Sequence, residues 1–236
     1  MKHHPMRASI VLLLLLCSLL STSCVNVIEK IRFNKDGSGT YTFTFDMNGI
    51  KKMAGMLGEE FDEEEMVGKM SELNGKMDDL GDKIKNVPGI TEVESEWDPK
   101  EIQSSISFDF ENIDALNTAM SRFYAGTKNL DNPDPSPFFI RKGNTITRTA
   151  RSNLSPTDIK PPSEEEKDED EEAFAEMAKL LFRDAYVETI IEFEQPVKSV
   201  SNQDYRLSDG HVLKWKRYIF SERDDDMKVP VTIKLK

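Results

Sequence analysis

The sequence predicts an α+β fold, in which a curved antiparallel β-sheet carries helices packed on one face. Two observations predict it. Several segments alternate apolar and polar residues with the period of two that half-buried antiparallel strands show. Helical segments, with apolar residues three and four positions apart, interrupt these strands without a repeated strand–helix–strand rhythm. A Met-rich helical insertion and a disordered acidic linker are expected to accompany the sheet.

A β-hairpin is predicted for residues 26–45. The turn signal Asp36-Gly37-Ser38-Gly39 separates two alternating segments. Asn48 then precedes apolar residues at helical spacing and is a candidate N-cap. The apolar positions that share one face of the hairpin are Val27, Ile31, Phe33, Tyr41, Phe43 and Phe45.

A heptad pattern follows the acidic run of residues 59–65. Its apolar positions, at alternating steps of four and three, are Met66, Met70, Leu73, Met77, Leu80 and Ile84. One interpretation packs this helix on the core of its own domain. The other leaves Met66, Met70, Leu73, Met77 and Leu80 as a surface for a partner or a ligand, because methionine gives adaptable apolar surface. The short pattern favours the core interpretation for most of the seam. Gly68, Gly75 and Gly81 weaken the helix and would allow limited opening, so a movable lid is a further alternative.

The middle of the chain predicts two strands, a helix and a second hairpin. Residues 91–97 and 102–110 alternate as strands, and the second of them carries serines on its polar face. Asn112 is the predicted N-cap of a helix that runs through Phe123. A hairpin around Lys142-Gly143-Asn144 is expected next.

Prolines and an acidic run make residues 152–172 the clearest linker, for which disorder is the expectation. A helix ending near Ala185 and a strand over residues 187–193 follow it. Ser208-Asp209-Gly210 predicts a turn into a strand from Val212, and a final strand covers residues 231–235. We therefore expect one α+β domain in two parts, residues 24–151 with the helical insertion 47–87 and residues 173–236.

The N-terminus has the order of a bacterial export signal. Lys2 and Arg7 precede an apolar stretch over residues 10–16, and small residues lead to Cys24 in the run Ser21-Thr22-Ser23-Cys24. This run resembles the lipobox of bacterial lipoproteins, in the Ser-rich form of Bacteroidota. The resemblance implies a signal peptide over residues 1–23 and fatty acylation, such as palmitate, at Cys24. An ordinary secretory signal is the alternative, and a membrane-spanning helix would need about 20 apolar residues.

The residue following Cys24 and the charge of the chain bear on its location. An aspartate directly after the acylated cysteine resembles an inner-membrane retention signal. Val25 occupies that position here, which implies a location at the outer membrane, facing the periplasm. Loss of Lys2 and Arg7 with the signal takes the formal net charge from −12 to −14. This sign disfavours nucleic-acid binding, and it predicts that anionic head groups repel the domain, so that membrane association depends on the lipid anchor.

The mature chain offers few groups for catalysis. Cys17 leaves with the signal and Cys24 would carry lipid, so no thiol remains for a disulfide, a zinc site or a nucleophile. His211 is then the sole imidazole, beside a turn signal that favours a surface role. The acidic runs lack the glycine and the alternating ligands of a calcium loop. We expect no metal, no cofactor and no enzymatic activity.

Two stretches are similar to the LppM-like domain of bacterial lipoproteins. They are VIEKIRFNKDGSGTY of residues 27–41, and PVKSVSN of residues 196–202 with Asp209-Gly210 and Trp215. The resemblance implies an α+β scaffold in the cell envelope with a lipid-like ligand and no catalytic residues. The leading hypothesis is a non-enzymatic envelope lipoprotein that binds a partner protein or an apolar ligand. A structural spacer and a carboxylate-based glycan hydrolase are the alternatives.

Overall fold

The computed structural model describes residues 25–49, 75, 77–127, 136–149, 185–219 and 228–236. The strands are β1 (Asn26–Phe33), β2 (Gly39–Asp46), β3 (Ile90–Asp98), β4 (Gln103–Phe110), β5 (Phe139–Lys142), β6 (Thr145–Arg148), β7 (Tyr186–Phe193), β8 (Val197–Val200), β9 (Arg206–Ser208), β10 (Val212–Tyr218) and β11 (Val231–Leu235). The described part of helix α1 is residues 77–85, and α2 is Ile113–Thr127. These elements form two open sheets, and the predicted α+β class is correct in general.

The larger sheet has seven strands in the order β3-β4-β2-β1-β7-β10-β9. Its neighbours are antiparallel except β1 and β7, which run parallel with Asn26 beside Tyr186 and Phe33 beside Phe193. The expectation of a purely antiparallel sheet is therefore wrong at this pair. The two strands are distant in sequence, so no hairpin turn fixes their relative direction.

A second sheet of four strands has the order β5-β6-β11-β8. The sequence patterns did not separate these strands from the larger sheet, because a period of two says which face of a strand is buried but not which strand lies beside it. The second sheet covers the buried face of the first, which we call the inner face. Phe139 of β5, for example, meets Phe33 of β1 with ring centroids 5.5 Å apart.

The predicted alternation holds along most strands. In β4, Ser104, Ile106, Phe108 and Phe110 are buried, and the residues between them are half-buried. Ile102 differs from the prediction, since it lies in the β3–β4 turn with a φ of 49°, although its side chain is buried. The short strands β8 and β9 were also missed, because each has few residues and mostly exposed positions.

Both helices belong to the inner side of the larger sheet. Asn112 caps α2 as predicted, and its side-chain oxygen accepts a hydrogen bond from the Ala115 amide at 2.9 Å. Phe123 of α2 packs on Phe43, with centroids 5.0 Å apart. Asn48 is not an N-cap, because Asn48 is itself helical and its amide donates to the Asp46 carboxylate at 2.9 Å.

One turn needs backbone that most residues avoid, and one hairpin needs a residue without a side chain. Asp209 and Gly210 have φ of 52° and 71° between β9 and β10, as the Ser208-Asp209-Gly210 signal predicted. Gly39 begins β2 where a Cβ would collide with the carbonyl oxygen of Arg32 on β1. The hairpin predicted for the first strands is therefore confirmed, and glycine permits its close backbone approach.

Candidate functional site

The interior contains a charged residue at the centre of the larger sheet. Glu29 of β1 lies on the inner face and is fully buried. Its Oε2 is 2.6 Å from Nη2 of Arg148, which is itself buried at the end of β6 in the second sheet. A buried charge is costly unless it is paired and hydrogen-bonded, and this ion pair joins the two sheets through the core.

Three hydroxyl groups complete the shell of the Glu29 carboxylate. Tyr124 of α2 donates to Oε1 at 3.0 Å, Tyr41 of β2 lies 3.4 Å from the same oxygen, and Thr189 of β7 donates to Oε2 at 3.2 Å. The Tyr41 and Tyr124 hydroxyls are 3.2 Å apart. The carboxylate therefore holds together β1, β2, β7, α2 and the second sheet.

This environment shifts the titration of the groups around Glu29. Burial raises the pKa of Tyr41 and of Tyr124 well above 10, and the Glu29 charge adds to the effect. Burial lowers the pKa of the Arg148 guanidinium, but the Glu29 carboxylate together with Tyr205 and Tyr124 outweighs burial, so the pKa is raised overall. Burial also raises the pKa of Tyr205 to about 12, against the opposing charge of Arg148. The tyrosines are therefore neutral donors over the physiological range.

Arg148 has more donors than the described residues use. Its Nε and Nη1 are buried without a hydrogen-bond partner in the described part of the chain, and so is Nε1 of Trp215 on β10. The guanidinium carbon lies 5.6 Å from the Phe139 ring centroid, a cation–π distance. Both oxygens of the Glu29 carboxylate are bonded, and through Arg148 the cluster joins the two sheets.

The opposite, outer face of the larger sheet is divided by charge. On its β3, β4 and β2 half the described outward residues include acids and no bases. Lysines and arginines dominate the β1, β7, β10 and β9 half. The outward acids of the first half are Glu94, Glu96, Asp98, Asp109 and Asp46. The outward charged residues of the second half are the basic Lys30, Arg32, Arg206, Lys214 and Lys216 and the acidic Glu188 and Glu192.

We call this second half the basic face, and it contains a cleft of about 640 Å³. The cations Arg206, Lys214 and Lys216 line it together with the carboxylates Glu188 and Asp204 and with Gln203, Ser208 and Tyr218. Lys216 Nζ lies 3.2 Å from the Tyr186 ring centroid and 5.1 Å from that of Tyr218. Alkyl-ammonium and phenol groups together suit a boundary between water and lipid, where each keeps its polar end wet.

The sheet begins immediately after Cys24. Val25 is buried, and its carbonyl oxygen accepts a hydrogen bond from the Tyr186 amide at 3.3 Å. β1 starts at Asn26, whose neighbours in the register of the next two strands are Tyr186 and Tyr218. No free linker therefore separates position 24 from the folded sheet.

The site residues predicted from the sequence divide into two groups. Met77 and Leu80 are buried in the core at 4% and 6% exposure. Cys24, Met66, Met70 and Leu73 lie outside the described residues, and the partner-surface hypothesis for this seam stays a prediction.

The described residues contain neither a metal-ligand cluster nor a membrane-spanning helix. No group of three or more histidine, cysteine or carboxylate side chains could hold a metal ion there. No helix in the same ranges is long and apolar enough to cross a bilayer. His211 bonds through Nδ1 to the Phe193 carbonyl oxygen at 2.9 Å, so it braces a turn.

Sequence reasoning missed the Glu29 cluster, although a signal was present. Glu29 has the same parity as Val27 and Ile31 on an alternating strand, which puts a carboxylate on the apolar face. Arg148 likewise shares the parity of Ile146. A buried ion pair between these two inward residues could have been proposed from the sequence. Residues so far apart in the chain, however, give no indication of which strand positions lie opposite each other.

Comparison with known proteins gives limited similarity. No family model matches the chain, and no curated protein matches it. In structure it is similar to the folded domain of LppM from Mycobacterium tuberculosis, solved by NMR, with 11% identity and a TM-score of 0.40 over 91% of this chain and 90% of that chain. No residue role is transferred at this level of similarity.

Proposed function

We propose that this chain is a lipid-anchored, non-enzymatic protein of the cell envelope, held at the outer membrane on the periplasmic side. The observation that carries the proposal is the junction at Cys24, where a lipobox-like run is followed at once by a buried residue and a strand. An acylated cysteine there would fix the domain at the bilayer without a spacer. Two or more acyl chains suffice for stable anchoring.

The buried Glu29 cluster does not supply the carboxylates of the glycan hydrolase that was the alternative. Glu29 is the sole buried carboxylate in the described part of the chain, and an arginine and three hydroxyls occupy its oxygens. A glycosidase needs two carboxylates about 5 to 10 Å apart with room for water or sugar between them. A carboxylate bonded on all sides in a packed core does not serve such a reaction.

Fatty-acid labelling tests the anchor. Cells that express the full chain are labelled with a palmitate analogue, and the protein is compared with Cys24→Ser and with Cys17→Ser as a matched control. We expect label in the wild type and in Cys17→Ser, and an unlabelled precursor in Cys24→Ser. Label that survives Cys24→Ser would refute the proposal.

The proposed activity is binding of a partner protein or of an apolar, lipid-like ligand. Met66, Met70 and Leu73 are the candidate surface, because Met77 and Leu80 of the same seam are buried in the core. Purification of the lipidated protein from native membranes, followed by protein and lipid mass spectrometry, separates the hypotheses. A stoichiometric protein or a specific bound lipid supports binding. Recovery of neither would favour a spacer that braces the envelope.

A further inference from the structure

The geometry points to a membrane-docking surface: the basic face of the larger sheet, formed by β1, β7, β10 and β9, lies against phospholipid head groups. This inference rests on the proposed lipid anchor and adds an orientation to it. Because each strand is rotated by about 20° relative to its neighbour, the acidic half at the other end of the sheet is inclined away from a bilayer that the basic half contacts. The chain would be held by its acyl groups and aligned by its own sheet.

The attachment point brings this surface to the membrane. One residue separates Cys24 from Asn26, and a residue spans at most about 3.6 Å, so the start of β1 lies within a few ångströms of the acylated position. Tyr186 and Tyr218 occupy the same row as Asn26 in the next two strands. At about 4.8 Å between strands, both tyrosines lie within about 10 Å of β1. Anchoring at Cys24 therefore places this corner beside the lipid.

The chemistry of the basic face fits lipid head groups. Tyr218 is 39% exposed, and Lys216 lies over the rings of Tyr186 and Tyr218 with a flexible alkyl stem. Exposed Arg206 and Lys214 are paired across β9 and β10, so two cations stand side by side on the outer surface. Phosphate groups are the complement of such a pair. The negative total charge of the chain conceals this surface, on which the five outward cations outnumber the two outward carboxylates Glu188 and Glu192.

Charge also selects the tilt of the domain. Glu94, Glu96 and Asp98 stand outward on β3, at the far edge of the same sheet. A bilayer with anionic lipid repels this edge and attracts the β9 edge. These opposite electrostatic forces at the two ends of the face orient the domain about its anchor. Salt weakens the alignment, since the Debye length is about 8 Å at physiological ionic strength.

Single-cysteine probes test the orientation. An acylated Cys24 has no free thiol and Cys17 is removed, so an introduced cysteine is the one labelling site of the mature chain. Ser208→Cys reports the β9 edge and Glu94→Cys the β3 edge; both positions are exposed and face outward. The lipidated protein, labelled with an environment-sensitive fluorophore, is reconstituted in phosphatidylcholine–phosphatidylglycerol vesicles that contain a lipid-borne quencher.

We expect quenching at Ser208→Cys, reduced by added salt, and no quenching at Glu94→Cys. Arg206→Glu with Lys214→Glu should abolish the signal at position 208. Lys83→Glu with Lys85→Glu makes the same charge change on exposed positions of α1, on the other side of the sheet, and should preserve it. Unchanged thermal unfolding of both pairs verifies that the fold is intact.

Three results would overturn the inference. They are equal quenching at both edges, no quenching at position 208, and quenching there only after deletion of residues 164–172. The last would mean that the acidic run of the chain itself covers the basic face. Failure of the anchor is distinguishable, because unlabelled wild-type protein in the palmitate experiment removes the proposed function, whereas labelled protein without quenching removes the docking alone.

Discussion

At the scale of single residues, the fold depends on a buried charge that its neighbours fully satisfy. Glu29 contacts Arg148 and three hydroxyls from β2, β7 and α2. Replacement of a buried ion pair by hydrophobic groups of similar volume is often neutral for stability, so we expect the main contribution of this pair to be specificity. For the pair to form, Arg148 at the end of β6 must lie opposite Glu29 of β1. This requirement fixes where the second sheet packs on the first.

Removal of one partner should be more damaging than removal of both. Glu29→Gln leaves the Arg148 charge buried without its anion, and we expect the free energy of unfolding to fall by about 3 to 5 kcal/mol. Glu29→Gln combined with Arg148→Met should lose less than the sum of the single changes. Urea unfolding of the chain from Val25 measures these values.

Lys30 provides the matched control for that experiment. It is the next residue of β1 and pairs with Glu192 at 2.9 Å, but both side chains are partly exposed. Lys30→Gln should cost no more than about 1 kcal/mol. An equal loss in Glu29→Gln and Lys30→Gln would contradict the special role of the buried pair.

The tyrosines of this cluster predict a loss of stability in alkali. Their folded pKa values lie above 10, which is the value in the unfolded chain. As pH rises past 10, the unfolded chain therefore releases protons that the folded chain keeps, and the free energy of unfolding falls by up to about 1.4 kcal/mol per pH unit for each tyrosine. Below pH 10 these two groups give no slope.

Urea unfolding between pH 8 and pH 11 measures this slope. The variant with Tyr41→Phe and Tyr124→Phe should be less stable at neutral pH, because it lacks hydroxyl donors to Glu29, but its stability should decline less steeply in alkali. Identical slopes for the variant and the wild type would show that other groups cause the alkaline loss.

At the scale of elements, the sequence predicts strands and turns well and their neighbours poorly. The alternation of Tyr41 and Phe43 and the turn at Asp209 are local properties, and both are found where the pattern placed them. The parallel contact of β1 with β7 and the separate second sheet depend on pairings between distant segments. Glu29 and Arg148 meet for the same reason, so the candidate site was outside the reach of local patterns.

The heptad seam predicts a graded response to truncation. Ile84 of α1 is fully buried and belongs to the same core cluster as Leu80. Ile84→Ala should lower the free energy of unfolding by about 2 to 5 kcal/mol, whereas Lys83→Ala at the exposed neighbouring position should change it by about 0.5 kcal/mol or less. Chemical unfolding of the two variants makes the comparison.

The first half of the seam is tested separately. Serine at Met66, Met70 and Leu73 should lower the thermal midpoint if these residues belong to the core. An unchanged midpoint together with lost association would instead assign them to the partner surface.

At the scale of the whole molecule, both parts of the chain contribute to both sheets. Residues 25–149 supply β1 to β6, and residues 185–236 supply β7 to β11. β7 lies between β1 and β10, and β11 lies between β6 and β8. The pairings of β1 with β7 and of β6 with β11 join one part of the chain to the other, and so does the Thr189–Glu29 hydrogen bond. The two parts are therefore held together by these contacts and not by the connection through residues 150–184.

Limited proteolysis tests this distribution of contacts. The prolines and acids of residues 152–172 predict that proteases cut there first, because such a segment buries too little apolar surface to offset an ordering cost of about 1 to 2 kcal/mol per residue. The nicked fragments should remain one particle in gel filtration, since separating them would expose the paired edges of β1, β7, β6 and β11 to water. They should separate in urea at a lower midpoint than the intact chain shows, because unfolding then releases two chains. Separation of the fragments under native conditions would contradict a shared core, and resistance of residues 152–172 to proteases would contradict their predicted disorder.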